Sequence, residues 1–129
     1  MTTKTEVLAL IARTGKALAN GNRLEILELV AQRERGVNDL AHLAKLNVTT
    51  VSAHLQVLRD AGLVTSRRHG THVEYQLAGD DVAELLVVLE SVAERHRPDV
   101  HSARVKYLPE RSNVTLPIEE NLVVELYSR

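Results

Sequence analysis

The feature that most constrains this 129-residue chain is a change of period at Gly62. Before it, Val51, Leu55 and Leu58 recur at i, i+4 and i+7, the spacing of one buried stripe on a helix. After it, Val73, Tyr75 and Leu77 alternate with His72, Glu74 and Gln76, the period of a half-buried strand. Between the two, Leu63 to Arg68 is β-prone and His69-Gly70 supplies a turn, so a hairpin with a basic tip follows directly on a helix. Asn47 is a good N-cap for that helix, and Ala61-Gly62 ends it.

Helical spacing also organises the chain upstream. Val7, Leu8, Ile11, Ala12 and Leu18 recur from Glu6 to Ala19, and Asn20-Gly21 stops that helix. A second helix starts near Asn22 and places Leu24, Ile26, Leu27 and Val30 inward. Gly36 closes the next connection, and Leu40, Leu43, Ala44 and Leu46 mark a short helix with Asp39 in its first turn. Downstream, Gly79-Asp80-Asp81 opens a long helix whose apolar residues run from Val82 to Ala93, too many for one face, so a second partner is expected. Pro98 interrupts or restarts that helix, and Val105, Tyr107 and Leu108 suggest another short helical stretch. Residues 109–117 read as a linker, and residues 118–127 as a short amphipathic helix or a strand. The order helix, helix, helix-turn-helix, hairpin, helix predicts a mainly α fold with a small β-hairpin, a winged helix-turn-helix.

Composition removes several classes of chemistry. The chain has no cysteine, which excludes disulfides, thiolate zinc sites, thiol redox sensing and cysteine nucleophiles within it. Aromatics are 2%, which disfavours binding of single strands by base stacking. No run of about 18 apolar residues is present, and the polar start from Met1 to Val7 lacks the apolar region of a signal peptide, so a cytoplasmic location is expected. The net charge of −1 conceals an asymmetry: residues 1–79 hold ten Lys/Arg against seven Asp/Glu, and residues 80–129 hold six against ten.

At this point the sequence resembles the ArsR/SmtB family of bacterial winged-helix repressors. The matching residues are Lys16-Ala17-Leu18-Ala19, Asn22 to Leu27, Asp39-Leu40-Ala41, Val51 to Val64, and Arg67-Arg68-His69-Gly70 ahead of Tyr75-Gln76-Leu77. Ser52 to Val64 is the most specific stretch. The resemblance covers roughly residues 6–97 and implies a homodimer with the first and last core helices at its interface. Residues 1–97 are accordingly expected to form a DNA-binding and dimerisation domain, and residues 98–129 a helical extension or linker. Val7, Leu8, Ile11, Leu85, Leu86, Leu89 and Val92 are the expected interface side chains. Some family members carry a downstream rhodanese-like domain, and residues 100–126 look similar to the junction that precedes it.

The resemblance makes the helix at about 48–60 the candidate recognition helix. Its buried stripe leaves Val48, Thr49, Thr50, Ser52, Ala53 and Gln56 facing out, short or amide side chains that fit a major groove about 12 Å wide. Gln reads adenine bidentately, and Thr or Ser reaches bases or phosphates. Asn47 joins them at the amino end. His54 sits beside buried Leu55, and either contacts a phosphate or packs at the helix edge. On the wing, Arg67, Arg68, His69 and His72 suit phosphates or a narrow minor groove. The expected partners are double-stranded DNA and a second copy of the chain, with repression by covering an inverted-repeat promoter site; a winged helix serving only protein–protein contacts is the alternative.

No effector is legible. Where family members sense metalloids with paired cysteines, this chain reads Gly36-Val37-Asn38-Asp39-Leu40-Ala41. For the Asp/His metal site that the family builds on its last core helix, aligning Asp81 leaves Ala83, Glu94 and Arg97 where His ligands are expected. His96, Asp99 and His101 are the remaining ligand-type residues, the basis of a metal-responsive alternative, but Pro98 breaks their spacing and Arg95 and Arg97 flank them. No metal or other cofactor is therefore expected. No nucleophile or second acid–base cluster accompanies these histidines, so no enzyme activity is expected either.

Overall fold

A computed structural model of the protein describes residues 2–97. Its elements are α1 (Lys4–Leu18), α2 (Gly21–Gln32), β1 (Arg35–Gly36), α3 (Val37–Ala44), α4 (Val48–Asp60), β2 (Val64–His69), β3 (His72–Leu77) and α5 (Asp80–Arg95). The chain divides into two units, Met1–Val82 and Ala83–Arg129.

In the first unit, caps set the helix starts. Thr3 opens α1 through a reciprocal pair: its hydroxyl accepts from the Glu6 N–H at 3.2 Å, and the Glu6 carboxylate accepts from the Thr3 N–H at 2.9 Å. Ala19 caps the end of α1, and Asn20 begins α2, because its Oδ1 accepts from the Arg23 N–H at 3.1 Å. The core is aliphatic: Ile26, Leu27, Leu40, Val51, Leu55, Leu58 and Val64 are essentially fully buried. Each such side chain contributes about 1.5–3 kcal/mol relative to exposure.

One inward assignment and one helix boundary are corrected. Leu24 is exposed. At 100° per residue, the stripe through Ile26, Leu27 and Val30 passes through Arg23 instead. The third helix stops at Ala44, so Leu46 lies outside it, and Leu43 is exposed. Lys45 takes the left-handed conformation (φ 59°), and the Leu46 N–H donates to the Ala41 carbonyl at 3.0 Å, the arrangement that closes many helices. That position usually holds Gly or Asn, so no sequence signal marked it.

The sheet has three strands in the order β1-β3-β2, all antiparallel, rather than a hairpin alone. Gly36, expected only to close a connection, pairs with Glu74, and Arg35 with Tyr75. A two-residue strand shows no period to read. Opposite rungs His69 and His72 leave Gly70-Thr71 as the turn, one residue later than expected. Gly70 carries the positive φ (63°) that the first position of a II′ turn needs. The register puts Arg67, His69, His72 and Glu74 on one face of the hairpin, and Arg68 on the other with Val73.

In the second unit, α5 starts in the first unit's last residues with Asp80 and Asp81 in its first turn, as expected, and continues to Arg95. Ala83, Leu86 and Val87 are buried, Leu85 is half-buried, and Leu89 and Val92 are exposed. Asp99 and His101, with the expected linker and final helix, lie outside the described residues.

Candidate nucleic-acid interface

Three buried side chains, Val51, Leu55 and Leu58, hold α4 against α2, α3 and β2. Because they form one stripe, the opposite face stands clear. Thr49, Ser52, Ala53 and Gln56 are exposed on it, and Thr50 is half-exposed. Asn47 is exposed too, but its Oδ1 accepts from the Thr50 N–H at 2.7 Å, so its acceptor fixes the start of α4. The Gln56 Nε2 donates to Asp60 Oδ1 at 2.8 Å, which steadies the amide and leaves its oxygen and second N–H outward.

His54 turns toward the body rather than outward. Its Nδ1 lies 3.4 Å from Arg23 Nη1. Burial, and secondarily the Arg23 charge, lower its pKa below the ordinary histidine value, so the imidazole is neutral at pH 7. Of the two readings its position allowed, packing at the helix edge matches this geometry. Arg23 itself donates through Nε to the Ala17 carbonyl at 2.7 Å and through Nη2 to the Lys16 carbonyl at 3.2 Å. A cation at the end of α1 satisfies carbonyls that the helix leaves open.

The wing basics are not equivalent. Arg67 Nη2 lies 2.8 Å from Glu34 Oε2, and its Nε donates to His69 Nε2 at 3.3 Å. His69 Nε2 is also 3.6 Å from Glu34 Oε1 and 3.5 Å from Glu74 Oε1. The Arg67 contact holds the Glu34 carboxyl below the usual carboxylate range, against a smaller opposing effect of burial. Arg68 has no carboxylate within ion-pair distance among the described residues, and it and His72 are exposed. A second arginine, Arg35, ties α2 to α3: it donates to the Leu29 carbonyl, the Gln32 side chain and Asp39, each at 2.9 Å. Sequence reading missed Glu34, Arg23 and Asp60. Only Asp60 had a local signal, its i, i+4 spacing from Gln56.

The expected interface side chains of α1 are open: Val7, Leu8 and Ile11 are exposed, with Leu10, which was not foreseen, at 55%. His96 is exposed at the end of α5, and its expected metal partners are outside the described residues.

The helices α3 and α4, followed directly by the β2–β3 hairpin, form a helix-turn-helix with a wing. Residues 20–66 match the model of the bacterial regulatory protein, arsR family. The solution structure of the homodimeric winged helix-turn-helix DNA-binding domain of Mb0332 from Mycobacterium bovis, described as a possible ArsR-family transcriptional regulator, is 49% identical, with a TM-score of 0.70. The match covers 74% of this chain and 89% of that one. This chain belongs to the arsR family. The arsenical resistance operon repressor of Bacillus subtilis is 38% identical over 65% of this chain and 81% of its own length. The HTH-type transcriptional regulator Rv0324 of Mycobacterium tuberculosis is 49% identical over 81% of this chain but only 46% of its own length, so this arsR-family chain spans about half of that relative. No described helix is long and apolar enough to cross a membrane.

Proposed function

We propose that this arsR-family chain is a sequence-specific, duplex-DNA-binding transcriptional regulator that represses as a homodimer on an inverted repeat. The carrying observation is the outward face of α4: five short or amide side chains, none charged, held in register by a fully buried stripe. Such a face enters a major groove without steric conflict and reads donors and acceptors there. In this reading Thr49, Thr50, Ser52, Ala53 and Gln56 contact base edges, Asn47 positions the helix start, and Arg68, Arg67, His69 and His72 supply backbone contacts from the wing. His54 supports α4 instead of contacting phosphate as a cation.

Two recognition helices on a two-fold axis require half-sites about one helical turn apart. The exposed apolar side chains Val7, Leu8, Leu10 and Ile11 of α1, and Leu89 and Val92 of α5, are the surfaces offered to the second copy. Residues 1–97 form the DNA-binding and dimerisation part, and residues 98–129 an extension. The likeness of residues 100–126 to the junction before a rhodanese-like domain, beside a relative about twice the matched length, favours a fused member of the family. A regulator of this kind acts in the cytoplasm, where the chromosome lies, and has no enzymatic step of its own.

Quantitative binding to the DNA upstream of its own gene, against random duplex over a range of salt, tests the proposal. A specific complex at least about 1000-fold tighter than the random one is expected. Equal affinity at every salt concentration overturns it. Sedimentation of wild type and Leu8→Glu tests the assembly: a dimer at micromolar concentration for the first and a monomer for the second are expected.

A further inference from the structure

We propose that Glu34, His69 and Glu74 bind a divalent transition-metal ion, Zn²⁺ or Co²⁺ in class, at the base of the wing, in exchange for the Arg67 guanidinium. One ligand atom from each lies within 4.8 Å of the others, the one such grouping among the described residues. The His69 Nε2 stands 3.6 Å from Glu34 Oε1 and 3.5 Å from Glu74 Oε1. A tetrahedral ion with bonds of about 2.0–2.2 Å sets its ligands about 3.4 Å apart, so both separations already match the edges of such a site. One imidazole nitrogen and two carboxylate oxygens are a donor set that Zn²⁺ accepts, leaving a fourth position for water. The absence of thiolates excludes the softer ions.

The scaffold fixes these atoms. His69 and Glu74 lie on paired strands, two rungs of the ladder apart, and Glu34 immediately precedes β1, whose Gly36 stands opposite Glu74 on β3. The three side chains are 19–47% exposed, so an ion reaches them without a buried path. Two carboxylates within 4.8 Å of one another repel, and a cation beside them relieves that repulsion. Arg67 supplies a single charge there: it faces Glu34 at 2.8 Å and occupies the His69 Nε2 lone pair at 3.3 Å. A divalent ion brings twice the charge and takes the same lone pair, so metal and guanidinium exclude each other. Bound metal therefore sends Arg67 into solvent on the wing. Sequence spacing hides the site, because 35 and 40 residues separate Glu34 from its two partners.

The consequence for DNA rests on the regulator reading: a released Arg67 is a phosphate ligand, so Zn²⁺ should tighten binding to duplex. The site itself is tested without DNA. The metal-stripped 129-residue chain is titrated with Co²⁺, followed by its tetrahedral absorption bands, and then with Zn²⁺ by calorimetry. One ion per chain is expected, weakened at least about tenfold in both His69→Ala and Glu34→Gln. Glu74→Gln should weaken it likewise, and His96→Ala should not change it. Arg67→Ala removes the competitor and should tighten the site, an effect that loss of fold would not produce. Millimolar or non-saturable binding, or binding undiminished in His69→Ala and Glu34→Gln, overturns the proposal, whatever the DNA result. Duplex binding that fails with and without Zn²⁺ overturns the regulator reading alone.

Discussion

From Val48 to Leu58, α4 presents no charged side chain, whereas the hairpin of β2 and β3, of similar length, carries Arg67, Arg68 and Glu74 with His69 and His72. The helix is placed by its own core stripe and by a cap four residues from its first buried side chain. The wing is placed in part by the ion pair of Arg67 to Glu34, a residue from before β1. Contact groups on α4 thus stand ready for a partner. Arg67 on the wing must first give up a carboxylate, while Arg68, on the opposite face of the hairpin, need not. The two regions also respond differently to salt: uncharged readout on the helix is insensitive, and the wing is not.

The largest test addresses what holds the helix. Leu55 is 1% exposed, and Leu55→Ala should cost about 2–5 kcal/mol in urea unfolding, from lost burial plus a residual cavity. A loss below about 1 kcal/mol would mean that α4 is not held by its stripe. Next comes the division of labour. Gln56→Ala should reduce discrimination between the preferred site and its single-base variants by about 1–3 kcal/mol. Arg68→Ala should weaken all duplexes alike and flatten the salt dependence by about one unit. Arg67→Ala should do the same to a smaller degree, because Glu34 already holds part of its charge. Glu34→Gln should act in the opposite direction and strengthen binding to any duplex. Wing variants that alter sequence preference while Gln56→Ala does not would reverse the assignment. A smaller effect sits at the helix start: Asn47→Ala should cost about 1 kcal/mol of stability through the lost cap.

How much of this was legible in the sequence follows the same division. Period and caps are local, so Val51, Leu55 and Leu58, Asn47, the Gly62 stop and the outward face of α4 could all be read from residues a few positions apart. The hairpin was legible for the same reason, to within one residue of its turn. What could not be read depends on distant partners. Arg23 looks like a surface residue of α2 until α1 and His54 are placed beside it, which is also why apolar spacing alone points Leu24 inward. Strand β1 exists only because β3 offers it an edge. The Glu34, Arg67, His69 and Glu74 cluster joins two chain segments whose spacing follows no motif, so the wing appeared as free positive charge when one of its two arginines is paired.

The last and smallest effect is on the acid limb of stability, where the two regions should separate by pH. His54 beside α4 has its pKa lowered by burial and by Arg23, and Glu34 beside the wing has its pKa lowered chiefly by Arg67. For each, the unfolded chain takes up a proton at higher pH than the folded one. Each group's contribution is therefore complete above its unfolded value and is lost as pH falls through its folded value. The helix-side loss begins below about pH 6.5, and the wing-side loss only below about pH 4.5, the ordinary ranges of the two side chains. Urea midpoints measured at constant salt from pH 8 to pH 3 should fall in two stages. His54→Gln should remove the upper stage and keep the lower, and Glu34→Gln the reverse. Burial, which disfavours the charged imidazole, is the main source of the upper stage, and Arg23, which a protonated His54 would face at 3.4 Å as a second positive charge, adds to it. Wild-type stability that rises as the pH is lowered from 8 to 6, or an upper stage that survives His54→Gln, would show that the imidazole does not hold α4 in its neutral form.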